Sequence, residues 1–449
     1  MTHSGGGSVL KYCKRFLIFG IIAVLLSVPM ALYAQQHTYI NIKDPFIRKV
    51  PLAVSAFKPL SGTGAESLHG EMARTILVEG MAFTGYIDVM DSASFPERPA
   101  VSGITGAHLH FKKWTRMGAE LLVTGGIIEQ QGNIRLEMRL FDPFKEKLVV
   151  GKVYTGRASE LRTMIHRFCG EISLYLTGKR GVFGSRIAFV SRVGGNKEIF
   201  ISDFDGYAPR QETHHKSITL SPALSRDGRW LAYTSYVNGK PDIFVLNLKN
   251  RAKTTIAFKG MNITPAWVPG KFELMATLSL DGDQEIYLLS GKGNILKRLT
   301  RSWGIDVSPQ VSPDGRKVAF VSRRGGSPQI YVKNLDTDGV MRVSFQGKYN
   351  TSPAWSPSGD KLAYVGIVKN KIDIYVTGFD GSAPMQLTRD QGDNEDPSWS
   401  PDGGFIVFSS TREGVSKIYV MTARGSEPRR LVNLPGAQTD PQWAPGYSN

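Results

Sequence analysis

The sequence predicts an α+β amino-terminal domain followed by an all-β six-bladed β-propeller that is closed by its carboxyl-terminal strand. Three observations carry this. Pro222, Pro265, Pro309, Pro353, Pro397 and Pro441 stand 43, 44, 44, 44 and 44 residues apart. Two sets of strand-like runs keep the same beat: "IFIS", "IFVL", "IYLL", "IYVK", "IYVT" and "IYVM", holding Ile199, Ile243, Ile286, Ile330, Ile374 and Ile418, and then "IAFV", "LAYT", "LMAT", "VAFV", "LAYV" and "IVFS". The first period lacks its leading P-x-W strand, while a spare copy, "DPQWAPG" around Trp443, stands at the far end of the chain. Four short antiparallel strands in about 40 to 45 residues mark a propeller blade. A ring closed by inserting the last strand into the first blade leaves no sheet edge open to aggregation.

Residues 1–34 read as an export signal. "KYCKR" is basic, Phe16 to Met30 is an apolar run of 15 residues, and "ALYAQQ" offers cleavage after Ala34, although Leu32 replaces the small residue preferred there. The run falls short of the roughly 20 residues that span a bilayer. Cys13 leaves with the signal, so Cys169 remains alone, no internal disulfide forms, and Cys169 is expected as a buried small hydrophobe.

Residues 35–180 are expected to fold as the α+β domain. "ESLHGEMARTILVEGMAF" places Met72, Ile76, Leu77 and Met81 at helical spacing, and "SELRTMIHRFCGEISLYL" does the same with Leu161, Ile165, Phe168, Ile172 and Leu176. Between them "AELLVTGGIIEQ", "NIRLEMRLFD" and "KLVVGKVYTG" read as strands, the middle one alternating Ile134, Leu136, Met138 and Leu140 on one face. Two helices against a small sheet follow.

Residues 181–449 hold the repeat. "SRDG" at Ser225, "SPDG" at Ser312 and Ser400, and "SPSG" at Ser356 join the first two strands of each period, with glycine supplying the positive φ that closes a hairpin. Their aspartates belong to turns rather than to metal sites, and "VPGKFE" after Trp267 is a degenerate copy that leaves the shape of its blade open. Up-and-down order puts the turns after first and third strands on one face and the interblade connections on the other. That second face collects His214, His215, Met261, Asn262, Thr264, Asp306, Val307, Tyr349, Asn350, Thr351, Asn394, Glu395 and Thr439 around the channel mouth. The mixture of amides, hydroxyls, apolar groups and an aromatic suits partner recognition. Tyr349 is the expected anchor, with Asn350 and Asn394 offering amides to a partner.

The formal charge of +16 falls to +13 once Lys11, Lys14 and Arg15 leave with the signal, which favours anionic surfaces. Export argues against nucleic acid. No G-x-S-x-G, P-loop or Rossmann glycine pattern occurs, and of the eight histidines only His214 and His215 are adjacent, so neither catalytic residues, metal ligands nor a cofactor are assigned. A small ligand in the channel, or service as an accessory domain to a hydrolase, is the alternative.

The export signal, the small α+β domain, the repeats of "SPAWSPSGDKLAYV", "IYV" and "RLT", and the opening "YINIKDPFIRKVPLAVSAF" resemble the TolB family, the periplasmic propeller components of the Tol-Pal system. The resemblance implies a monomeric periplasmic adaptor, not an enzyme. It implies that the propeller face binds the peptidoglycan-associated lipoprotein Pal and that the protein reaches the outer membrane through Pal without inserting. It implies that TolA binds the segment holding Gln35, Thr38, Tyr39, Ile40, Asn41, Ile42, Asp44 and Pro45, where "TYINI" suits strand addition to a partner's sheet. Outer-membrane integrity and inward movement of that membrane at division are the implied functions. Some relatives carry a histidine ahead of "PAW"; this chain has Met261, so that contact does not transfer.

Overall fold

The computed structural model describes residues 48–61, 64–378, 384–426 and 428–444. The predicted export signal and the segment from Gln35 to Pro45 lie outside the described residues.

The amino-terminal region is a mixed sheet with helices on both sides. β1 (Val50–Val54) pairs in parallel with β3 (Ile87–Val89) and with β4 (Leu121–Gln130), β2 (Lys58–Pro59) adds to β4, and β5 (Asn133–Asp142) and β6 (Lys147–Arg157) continue antiparallel. The order is β3-β1-β4-β5-β6. Helix α1 (Gly64–Phe83) makes the crossover from β1 to β3, and α4 (Leu161–Thr177) packs beside it. The alternation read in β5 holds, since Ile134, Leu136, Met138 and Leu140 are all buried in the core that the two helices cover. On α1 the expected Leu77 and Met81 are buried and Ile76 packs partly buried on the same core, whereas Met72 is exposed and Ala73 is buried beside it. Cys169 is buried on α4, as expected of a small hydrophobe. The short helices α2 (Pro99–Ser102) and α3 (Phe111–Arg116) belong to the opposite layer, where Phe111 and Trp114 pack on Leu122 and Phe141.

Six four-stranded sheets form the propeller. Blade 2 is the pattern: Thr219–Leu224 innermost, then Trp230–Ser235, Asp242–Asn247 and Lys253–Ile256, each antiparallel to the last. Blades 3 to 6 repeat it, with innermost strands Asn262–Trp267, Asp306–Val311, Tyr349–Trp355 and Asn394–Trp399. Blade 1 takes Gln438–Ala444 as its innermost strand against Arg186–Val193, with Trp443 opposite Ile187. The ring therefore closes with the spare strand.

The repeated P-x-W residues have a physical reason. The indole N–H of Trp267 donates to the Ala223 carbonyl at 2.9 Å, that of Trp355 to Gln310 at 3.0 Å and that of Trp399 to Ala354 at 3.2 Å, each tying a blade to the one before it. In the ring-closing copy Trp443 donates to Ser185 Oγ at 2.9 Å. The turn aspartates are structural: Ser312 Oγ donates to Asp314 Oδ1 at 2.5 Å, the Arg316 N–H donates to the same oxygen at 3.0 Å, and Gly315 has φ 73°. The degenerate "VPGKFE" still turns, with the Val268 N–H donating to the Glu273 carbonyl at 3.0 Å and Gly270 at φ 74°. Its blade is complete.

The amino-terminal region docks on blades 1 and 6. Phe204, in the turn after the third strand of blade 1, meets the rings of Phe83, His166 and Phe183. Arg429 donates to the Phe83 carbonyl at 3.0 Å and lies 4.3 Å over the Phe83 ring. Arg162 of α4 pairs with Asp205 and stacks 3.9 Å over Tyr207. Burial and the Arg162 charge push the His166 imidazole down to about 4, so it sits neutral in this junction.

Candidate interaction face

Phe204, Asp205, Phe405 and Arg429 stand in or beside turns after first and third strands, so the domain docks on that rim at blades 1 and 6. The opposite rim, formed by interblade connections and the turns after second strands, is turned away from it. The residues selected from sequence fall on this free rim, but they divide into two groups.

The first group is buried and structural. Asn262, Asp306, Asn350 and Asn394 are the first or second residues of innermost strands and are at most 1% exposed. Asn350 Nδ2 donates to Gln329 Oε1 at 2.6 Å and to the Gln346 carbonyl at 2.7 Å. Asn394 Nδ2 donates to Asp373 Oδ1 at 3.2 Å and to the Gly392 carbonyl at 3.0 Å, while its Oδ1 accepts from Ser410 Oγ and Arg412. Asn262 Nδ2 donates to the Phe258 carbonyl at 2.9 Å and to Asp242 Oδ1 at 3.2 Å. Each amide latches the incoming connection to the third strand of the preceding blade. The expectation that Asn350 and Asn394 offer amides to a partner is corrected: those donors are already spent, because an unmade hydrogen bond in a dry rim costs more than a surface contact returns. Asp306 takes the same place without an amide to give, and its Oδ2 accepts from Arg324 at 2.8 Å.

The second group is accessible. Tyr349 is 48% exposed, Glu395 and His214 are exposed, and Met261, Thr264, Val307, Thr351 and Thr439 are partly buried. His215 is fixed between Ser235 Oγ at 2.8 Å and Tyr233 Oη at 3.1 Å, with its ring edge-on to Phe244. Both of its nitrogens are thereby occupied. Among the described residues no three metal-ligating side chains come together.

Two larger side chains on this rim were not singled out as site residues from the sequence. Trp303 is 83% exposed and Phe345 64% exposed, in the connections that lead into blades 4 and 5 on the same rim as Tyr349. Arg301, Arg323 and Lys348 are exposed around them. The signal was present: Trp303 and Phe345 depart from the repeat, whereas Asn262, Asp306, Asn350, Asn394 and Gln438 each stand three residues before a repeat proline. A residue on the beat serves the blade. One off the beat is free to serve something else.

At the channel, Ser221, Thr264, Ser308, Ser352, Asp396 and Asp440 precede the repeat prolines and all take φ between 50° and 55°. This left-handed step makes the bulge seen in each innermost strand. Ser352 Oγ donates to Asp396 Oδ1 at 3.1 Å, and the Ser221 N–H donates to Asp440 Oδ2 at 3.2 Å. Burial, then the neighbouring Asp440 and Glu395 carboxylates, raise the Asp396 carboxyl well above its usual range. Glu395 is exposed as a residue, but partial desolvation of its carboxyl, then Asp393 and Asp440, raise it as well. A carboxyl raised in the folded state contributes stability below its unfolded pKa, about 4, and loses it as pH climbs through the folded value. Asp396→Asn, which keeps the hydrogen-bonding shape of the protonated acid, is therefore expected to melt higher than the parent at pH 7. Thermal melts across pH should show that gain shrinking to nothing near pH 4.

Two family models match the chain: the TolB beta propeller domain over residues 174–447 and the TolB amino-terminal domain over residues 38–149. The Tol-Pal system protein TolB of Desulfosudis oleivorans is 49% identical over 65% of this chain and 66% of that protein. The protein TolB homolog of Chlorobium luteolum is 40% identical over 72% of each. These alignments span about two thirds of the relatives' length. The crystal structure of TolB from Acinetobacter baumannii superposes with a TM-score of 0.77 at 26% identity, covering 89% of this chain and 97% of that one.

Proposed function

We propose, since the chain belongs to the TolB family of Tol-Pal system proteins, that it is a non-enzymatic periplasmic adaptor. Residues 1–34 act as the export signal that is removed, residues 35–180 form the amino-terminal domain, and residues 181–449 the propeller. The rim turned away from the domain junction receives the lipoprotein Pal, and the segment from Gln35 to Pro45 engages TolA. Outer-membrane integrity and invagination at division follow from joining the two. The reading has the chain meet the outer membrane through Pal; no helix among the described residues is long and apolar enough to cross a membrane.

The observation that carries the reading is the exposure of Trp303, Phe345 and Tyr349 on a rim whose backbone is latched from beneath. Interfaces draw most of their energy from a few aromatic anchors held on preorganised backbone. Titration calorimetry with purified Pal is expected to show Trp303→Ala and Tyr349→Ala each weakening binding by about 1 to 3 kcal/mol with the melting temperature unchanged. Asp336, exposed on the opposite rim, serves as the control. Deleting Gln35 to Ile42 should abolish TolA binding and spare Pal. Equal losses at Asp336 and at the aromatic positions, or TolA binding that survives the deletion, would remove the assignment.

A further inference from the structure

β6 ends its sheet at an edge, and it is the longest edge strand among the described residues. The outer edges of the blades are fourth strands two to four residues long, their inner edges are six or seven residues long and line the channel, and β3 at the other end of the same sheet has three. β6 has eleven residues. Natural proteins keep edges short or covered because a long unpaired row of N–H and C=O groups templates another strand. Among the described residues nothing covers this one.

The direction of its free groups follows from the ladder. The Ala158 N–H donates to the Gly132 carbonyl at 3.1 Å, in register with the Asn133↔Arg157 pair. Hydrogen-bonded and outward-facing residues alternate along an antiparallel strand, so Gly151, Val153, Thr155 and Arg157 direct their backbone groups away from β5. The Arg157 N–H does point outward, donating to Glu160 Oε2 at 2.8 Å. Glu160 thus caps one end of the row. Among the described residues Gly151, Val153 and Thr155 remain open, and Leu148 and Val153 expose apolar surface beside them.

Charge selects the occupant. β6 carries Lys147, Lys152 and Arg157 and no acidic residue. Lys152 is engaged by Glu171 at 3.4 Å, whereas Lys147 and Arg157 make no ion pair among the described residues. A second copy pairing antiparallel about Lys152 would set Lys152 against Lys152 and Lys147 against Arg157, and like charges directly opposite are destabilising. An acidic strand would meet complementary charge at the same positions. We infer that β6 is a strand-addition site for an extended, acidic segment of a partner protein, separate from the propeller rim.

The probe is a short blocked peptide alternating glutamate with valine, compared with its lysine-for-glutamate counterpart on the whole mature chain. The acidic peptide should bind about tenfold or more tightly than the basic one, with affinity falling as salt is added. It should slow hydrogen exchange at the amides of Gly151, Val153 and Thr155. Val153→Pro removes one outward N–H where proline is tolerated, and should lower affinity about tenfold without changing the melt. If that variant melts low, Lys147→Glu combined with Arg157→Glu decides instead, by reversing the preference between the peptides. Equal binding of both peptides, absence of saturable binding, or protection at other amides overturns the proposal. So does a concentration-dependent dimer that protects these amides without any peptide.

Discussion

Removing Gln438 to Asn449 is expected to abolish cooperative unfolding and leave an aggregating protein. The strand Gln438–Ala444 is the innermost strand of blade 1, so its loss bares the edge of Arg186–Val193 along its length. It also removes Trp443, which is buried against Phe405 of blade 6 and belongs to the same core as Val182, Phe189 and Phe204. That core extends to Phe83 and Phe183, so the damage reaches the domain junction. The single change Trp443→Ala should cost about 3 to 5 kcal/mol, the range for truncating a large buried aromatic. Calorimetry and light scattering check both. A truncated chain that melts as sharply and as high as the parent would mean the ring is not closed by this strand.

Asn394→Ala is expected to destabilise the fold by about 2 to 4 kcal/mol, and Asn350→Ala by a similar amount. The loss has two parts. The hydrogen bonds themselves are worth about 1 kcal/mol each, and the partners left behind, Asp373 and the Gly392 carbonyl for Asn394, keep their desolvation cost unpaid. Because Asp373 also accepts from Thr388 at 2.7 Å, the damage extends to the connection that follows the fourth strand of blade 5. Denaturant melts should show the loss, and under the proposed function any weakening of Pal binding in these variants should track their stability rather than a lost contact. A melt indistinguishable from the parent's would mean that the latch carries no energy.

The repeat explains why the propeller was readable and the rim was not. A strand pattern repeated on a constant beat has a single geometric meaning, and the orphan copy at Trp443 follows directly from counting. The amino-terminal helices and the β5 alternation were legible because 3.6 and 2 are distinct periods. The parallel pairs β1–β3 and β1–β4 were not, since short apolar runs such as "VPLAV" carry no sign of which neighbour they take. On the rim, amide chemistry at Asn350 and Asn394 suggested a contact surface, but side-chain type cannot distinguish a donor facing solvent from one facing a carbonyl. Position in the repeat could have done so. Trp303 and Phe345 were accessible to the same test from the other side, as aromatics where the neighbouring periods place none.

The pairing of Gln438–Ala444 with Arg186–Val193 also sets the order in which the molecule can assemble. The first blade to be started is the last to be finished, with Trp443 and Ile187 separated by nearly the whole propeller in sequence. Contacts that distant are slow to form, since the loop must close before the pairing rewards it. A chain delivered amino-terminus first can complete blades 2 to 6 one after another from local hairpins, yet it keeps one unfilled slot until Gln438–Ala444 arrives. Time to the native state is therefore expected to follow that late docking event, with proteolysis and self-association greatest in the interval before it.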